Sequence, residues 1–360
     1  MTAAAPRNPF PAMIQKVLVI RFRRVGDSVL ATALCRSLKE SFPGVEVHFV
    51  LNAGIAPLYA GHPDIDKVIA FTDEEQHGMA YLRKVWQTVR ATRYDAIIDM
   101  RSTPKTLPFS LFSPGTPYRI GRRKPYNVGV HNYRLENPSG VDRVQTNLNL
   151  MTPLAREGRL VMNPHFRLVI SEDERRAFRS YMAREGVDFG RPVVLCAVTA
   201  RLEYKVWPYE RMARVLRRLL DSYDAQLVFN YAGDVEAAAA RALRDRLGGD
   251  SRVMLGVQAQ GLRELCAMTV NSDLFFGNEG GPRHIAQALG VPTLALFPPG
   301  VEKWFWLPGA DERQRGLSPD DYLDPERQQA MTYAQRFDLI PEDDVWAQLA
   351  DMMNRYVVKP

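Results

Sequence analysis

Two places in this 360-residue chain set chemically able residues beside glycines that leave room for a ligand. One is Val25-Gly26-Asp27-Ser28, where Asp27 stands at the start of a helical pattern. A carboxylate there can take a proton from a hydroxyl, because an ordinary Asp, with a pKa near ~3.9, is ionised at neutral pH. It can also simply cap the helix, and position alone favours the cap. Arg21 and Arg24 flank this turn and suit a phosphate or an acidic sugar. The other place is Gly277-Asn278-Glu279-Gly280-Gly281, followed by Pro282 at a helix start. Adjacent glycines let a phosphate approach the backbone, and the helix N-terminus favours its charge. A plain structural turn accounts for the same residues. Thr199 and Lys205 share a loop in which the Lys could neutralise a phosphate. Glu236 reads as a first-turn acid that complements a helix dipole. Arg101 and Lys105 on one loop, with Arg122, Arg123 and Lys124 on another, offer cations to carboxylates and phosphates. Each singly fits ordinary loop charge equally well.

The elements that hold these residues alternate. Short apolar runs at 16–20, 45–51, 67–71 and 95–100 read as buried strands, separated by helical patterns such as 78–92. A helix is expected around 140–156, and Ser171 with Glu174 has capping-box spacing before another helix, which ends near Glu185. The alternation restarts with Val193–Val198 and Gln226–Asn230. It runs on to a βαβ unit: Leu274–Phe276, the glycine turn, a helix closed at Gly290, and Thr293–Phe297. We therefore expect an α/β protein of two doubly wound, Rossmann-like domains with a crevice between them. The expected divisions are a disordered leader over 1–14, domains at 15–187 and 188–340, and a C-terminal helix at 341–360. The glycine turns fall at the carboxyl ends of strands, where open α/β sheets bind ligands.

Composition narrows the classes. No apolar run approaches the ~20 residues that span a bilayer, and the start of the chain has no signal-peptide core. Cys35, Cys196 and Cys266 lie far apart in apolar patterns, which fits buried thiols in a reducing cytosol. Neither a Cys/His cluster with metal spacing nor a Gly-x-Gly-x-x-Gly turn is present, so no metal and no dinucleotide cofactor is expected. Net charge is +6, split as +10 over residues 1–185 and −4 over 186–360. A basic first half suits an acidic substrate, an anionic membrane face or nucleic acid. The base-stacking aromatics and modules of a nucleic-acid binder are missing, so no nucleic-acid partner is expected.

Several of these segments, in order, resemble the heptosyltransferases of lipopolysaccharide synthesis. That family carries an Asp-Ser/Thr-Gly-x-x-His pattern with a later Pro near its C-terminus, and Glu279, Gly280, Gly281, His284 and Pro292 occupy corresponding places. Glu replaces Asp and Gly replaces the hydroxyl residue. A Gly-Asp pair after the first strand, Lys205-x-Trp207-Pro208 and HPDIDKVI (62–69) are similar too. The resemblance, over roughly residues 15–300, implies a glycosyltransferase-B fold and an inverting glycosyltransferase. It also implies an ADP-heptose donor as co-substrate and an anionic lipopolysaccharide core acceptor. It makes Asp27 the catalytic base. Thr199, Lys205, Glu236, Glu279, Gly280, Gly281 and His284 would then serve the donor, with Glu236 at its ribose. Arg21, Arg24, Arg101, Lys105, Arg122 and Arg123 would face the acceptor. The charge split and the missing signal-peptide core predict a cytoplasmic protein that associates peripherally with the anionic inner-membrane surface. Another nucleotide-sugar donor, or a non-catalytic sugar-nucleotide-binding protein, stays open as an alternative.

Overall fold

The computed structural model describes residues 14–22 and 24–357. The expected leader lies outside them apart from Ile14, which is buried. The chain forms two compact units that divide between Phe166 and Arg167.

In the first unit, six strands form one parallel sheet: β1 (Lys16–Ile20), β2 (Glu46–Asn52), β3 (Lys67–Phe71), β4 (Ala96–Asp99), β5 (Tyr118–Arg122) and β6 (Tyr133–Leu135). Their spatial order is β3-β2-β1-β4-β5-β6. This is the doubly wound order, with its reversal between β1 and β4. The helices are α1 (Val25–Leu30), α2 (Thr32–Ser41), α3 (Gly78–Ala91), α4 (Leu107–Leu111) and α5 (Arg143–Leu148). A sheet covered on both faces needs near-continuous apolar strands, and Val17, Leu18, Val19 and Ile20 are all wholly buried. α3 turns Tyr81, Val85 and Val89 into a cluster with Phe22, Phe71 and Phe109. The helix expected at 140–156 divides into α5 and a 3₁₀ run, Asn149–Arg156, which contains Pro153. Proline there removes an α-type hydrogen bond.

The second unit begins with α6 (Glu172–Arg184) and continues β7 (Val193–Ala197), α7 (Tyr209–Ser222), β8 (Gln226–Phe229), α8 (Gly233–Arg246) and β9 (Val253–Met254). After α9 (Leu262–Val270) come β10 (Leu274–Asn278), α10 (Gly281–Ala288), β11 (Thr293–Leu296), α11 (Lys303–Trp306) and β12 (Gln314–Leu317). Three more helices end it: α12 (Pro325–Gln328), α13 (Tyr333–Phe337) and α14 (Glu342–Met352). The sheet order β12-β11-β10-β7-β8-β9 repeats the doubly wound order, now reversing between β7 and β10.

The expected boundary at 187/188 differs from the observed one. α6 belongs to the second unit because Arg263 forks onto Glu174 at 2.6 and 2.7 Å, Tyr181 donates to Gly256 and Asn271 donates to Arg175. The Ser171–Glu174 capping box is formed as expected. β5, β6 and β12 were not anticipated. β6 and β12 are edge strands, and their YRL and QRGL sequences show no apolar run.

Candidate active site

In the first unit the site forms at the carboxyl ends of β1 and β4. The chain leaves β1 at Arg21, which is 1% exposed. Its guanidinium donates to Asp27 Oδ1 and, at 3.1 Å, to the Met100 carbonyl that follows β4. Asp27 is not a cap. Arg24 holds the N-cap position of α1, and Asp27 sits in the first turn with its side chain almost wholly buried. Arg143, the first residue of α5, donates to Asp27 Oδ1 at 3.0 Å. The carboxylate is thus held by two guanidiniums from different parts of the chain.

Arg21 and Arg143 also line a cleft of about 170 Å³, together with Arg101, Arg122, Lys124 and Asn147. Five cations around so small a space create a field that favours an anion. Burial, then the charge of Arg143, press the Arg122 guanidinium down to about 10, still protonated at neutral pH. Arg122 is fixed by carbonyls of Glu136 and Thr146 and by Asn149. Arg101 is presented by a turn that Asp99 organises, its Oδ1 accepting the Arg101 and Ser102 amides at 2.9 and 2.8 Å. Ser102 takes φ +50°. Gly121 packs against this turn where a Cβ would stand 2.4 Å from His131. Burial lowers His131 to about 4, so the ring beside Asp99 is neutral.

Three expected acceptor residues do not line the cleft. Arg123 points away and pairs with Glu136 at 3.1 Å, because consecutive residues of an extended chain face opposite sides. Lys105 turns to Gln76 and to the rings of Phe22 and Tyr81; burial, then Arg101, lower its pKa. Arg24 is exposed at the start of α1. Arg143 and Asn147 lie on a helix that sequence reading placed but did not connect to the site. Asp142, capping α5 through Gln145, was the local signal.

The second unit builds its site at the matching reversal, between β7 and β10. Gly277, at φ +143°, brings β10 so close to β7 that a Cβ would lie 2.3 Å from the Ala197 carbonyl. Asn278 then ties the loops together: its Oδ1 accepts from the Trp207 amide at 2.9 Å and its Nδ2 donates to Ala197. Trp207 is wholly buried, so it packs, while Lys205 remains half-exposed in the loop before it. Thr199 donates to Glu236 at 2.7 Å, which links the β7 loop to the first turn of α8. Glu236 also accepts from the Ala232 amide. Gly280 is the N-cap of α10 in extended backbone, and a Cβ there would meet only Pro282, at 3.8 Å. Neither strain nor crowding requires glycine at 280. What it leaves is open backbone at a helix N-terminus, where an anion is favoured.

Glu279 is 9% exposed, with His284 Nε2 at 3.4 Å and Arg283 at 3.8 Å. Burial alone would raise its pKa, but His284, Arg283 and Lys205 outweigh burial and hold the carboxyl at about 2. Arg283 Nη2 also lies 2.8 Å from His284 Nε2. Being always charged, it keeps the sign of that effect whichever ring nitrogen carries the proton. His284 is thus buried behind Glu279.

Among known proteins, residues 82–331 match the model of "Glycosyltransferase family 9 (heptosyltransferase)". Lipopolysaccharide heptosyltransferase 3 of Escherichia coli K12 is 22% identical over 333 residues, 89% of this chain and 93% of its own. A glycosyl transferase family 9 structure from Veillonella parvula superposes with a TM-score of 0.77 at 17% identity, covering 94% of this chain and 97% of that one. The E. coli ADP-heptose lps heptosyltransferase II gives 0.74 at 20% identity, covering 95% and 99%. These likenesses establish the glycosyltransferase-B fold expected from the sequence.

Proposed function

Because the chain belongs to glycosyltransferase family 9, the heptosyltransferases, and is a glycosyltransferase, we propose that it moves heptose from ADP-heptose to a lipopolysaccharide core hydroxyl. The observation that carries the reading is Asp27, a carboxylate gripped by Arg21 and Arg143 beside a cleft of cations. In this reading the acceptor's phosphates or carboxylates enter the cleft and meet Arg101, Arg122 and Arg143. The acceptor hydroxyl attacks the anomeric carbon and gives its proton to Asp27. As the new C–O bond forms, the bond to the diphosphate breaks and ADP leaves with the electron pair. Attack opposite the leaving group inverts the centre.

The donor is assigned to the second unit. Thr199 and Glu236 are joined where a ribose would be held, and Glu279 would accept from sugar hydroxyls. Lys205 and the amides at Gly280 and Gly281 would stabilise charge growing on the diphosphate. His284 acts through Glu279 in this scheme. We place the enzyme on the cytoplasmic side of the inner membrane. No helix among the described residues is long and apolar enough to cross a bilayer.

Glu279 and Gly280, which stand where relatives carry Asp and a hydroxyl residue, favour a second reading in which another nucleotide sugar is the donor. One thermal-shift series separates them. A ligand at 100 times its Kd stabilises by about 2.7 kcal/mol, a shift of several degrees. ADP-heptose and ADP should raise the melting temperature, and UDP- or GDP-sugars should not. Stabilisation by a UDP- or GDP-sugar alone selects the second reading. Release of ADP that depends on a core acceptor then tests transfer itself.

A further inference from the structure

α3 has two unlike faces. Tyr81, Val85 and Val89 pack inward, whereas Met79, Arg83, Trp86 and Arg90 all lie exposed on the outer side. At 100° per residue these four fall within a strip about 60° wide, one row along the helix. Met79 is 77% exposed and Trp86 51%. One exposed apolar side chain is ordinary, but several gathered on one side of a unit mark a surface that something covers. The helix sequence GMAYLRKVWQTVRA contains no acid. Beside the row, α4 ends on Leu111, 58% exposed. Between the two helices a cleft of about 300 Å³ is lined by Arg90, Arg93, Phe112, Ser113 and Thr116, among others.

The mixture identifies the occupant. The helix carries Arg83, Lys84 and Arg90 and no acid, with Arg93 just beyond it, and this unbalanced positive charge is complementary to an anionic lipid layer. At a lipid headgroup layer an indole sits at the boundary and guanidiniums meet phosphates, so an outer row that carries both Trp and Arg suits it. We propose that this face of the first unit docks on an anionic lipid surface. Met79, Trp86 and Leu111 enter the headgroup layer, and Arg83, Arg90 and Arg93 bind lipid phosphates. The other exposed tryptophan of comparable size, Trp304, lies in the second unit next to Lys303, which is paired with Asp321. It takes no part.

The inference shares with the proposed function the premise of a lipid-borne acceptor. Its test uses neither donor nor acceptor, so the two can fail separately. The full chain is floated with vesicles of phosphatidylglycerol and phosphatidylcholine, and with phosphatidylcholine alone, at low salt. It should float with the first and remain below with the second, and binding should fall as salt rises. At about fivefold per basic residue, the triple variant Arg83→Gln/Arg90→Gln/Arg93→Gln should bind about 100-fold more weakly. Its melting temperature should be unchanged, as for exposed sites. Brominated lipid should quench the tryptophan fluorescence of the parent, and Trp86→Phe should abolish the quenching. Any of three results overturns the proposal: no flotation with anionic vesicles, equal binding by the triple variant, or quenching that survives Trp86→Phe and is lost in Trp304→Phe. Self-association abolished by Trp86→Phe, with no lipid binding, would assign the face to a second copy instead.

Discussion

Arg143 at the start of α5 reaches Asp27 in α1, with Nη2 3.0 Å from Oδ1, although 116 residues separate them. The same guanidinium lines the cationic cleft. One side chain therefore touches both the proposed base and the space proposed for an anionic acceptor. No spacing along the chain announces this relationship.

Asp27→Asn is expected to change both stability and turnover. A capping residue would tolerate the change, since Asn caps about as well as Asp. Here the substitution leaves Arg21 buried without its carboxylate, and breaking a buried pair costs about 3–5 kcal/mol. The transfer rate should fall about 10²–10⁴-fold, measured at saturating substrates below the variant's own melting temperature. Activity within about threefold of the parent would remove Asp27 from the mechanism.

Arg143→Ala should act on the acceptor cleft and on the base it holds, and not on the donor. A hydrogen bond to a charged group contributes about 1.5–3 kcal/mol, so kcat/KM for the acceptor should fall about 10–100-fold. KM for the donor should hold. An equal rise in donor KM would contradict the assignment of the cleft.

Lys205→Ala should do the reverse. The side chain is half-exposed in a short 3₁₀ turn, so the fold should be unaffected. ADP-sugar binding, followed by calorimetry, should weaken at least tenfold, consistent with loss of a charge-assisted contact to phosphate. Unchanged affinity would take Lys205 out of the donor site.

The glycines of the second signature should divide into two kinds. Gly277→Ala places a Cβ 2.3 Å from the Ala197 carbonyl at φ +143°, so it should destabilise by about 3 kcal/mol or more. Gly280→Ala meets nothing nearer than 3.8 Å and should melt like the parent. Its nucleotide-sugar binding should nevertheless weaken, because a methyl then stands between phosphate and backbone. A Gly280→Ala variant that binds normally would return that turn to a purely structural role.

Glu279 makes stability depend on acid. Its folded carboxyl titrates at about 2, below an ordinary Glu near 4.5, so its stabilisation is present above 4.5 and is lost as pH falls towards 2. At about 1.4 kcal/mol per unit this is a few kcal/mol. Glu174 contributes in the same window through Arg263, so the parent should be compared with Glu279→Gln. Denaturant midpoints from pH 5 to 2 should fall less steeply in the variant. Parallel curves would mean that Glu279 is not held by its cations.

The sequence by itself determined the elements and their approximate order. Apolar runs of three to seven residues, too short for helices, set between amphipathic stretches, admit little else than a parallel sheet with crossovers. Gly277, Gly280, Pro282 and Gly290 mark one crossover residue by residue. The Ser171–Glu174 capping box was legible because capping is a local hydrogen-bond problem. Edge strands such as Gln314–Leu317 were not legible, since their pairing comes from β11 and not from their own composition.

Only the tertiary structure decided which cations matter. Arg122 and Arg123 are neighbours of the same type, yet the pleat turns one to the cleft and the other to Glu136. Lys105 lies on the expected loop but settles on Phe22 and Tyr81, because α3 brings Tyr81 beneath it. Asp27 looked like a cap until Arg21 and Arg143 were found on its carboxylate. Periodicity encodes which face of an element is apolar, and it acts over a few residues. Which charged groups meet depends on strand order, on the turn at each sheet reversal and on helices such as α5 that return from far along the chain.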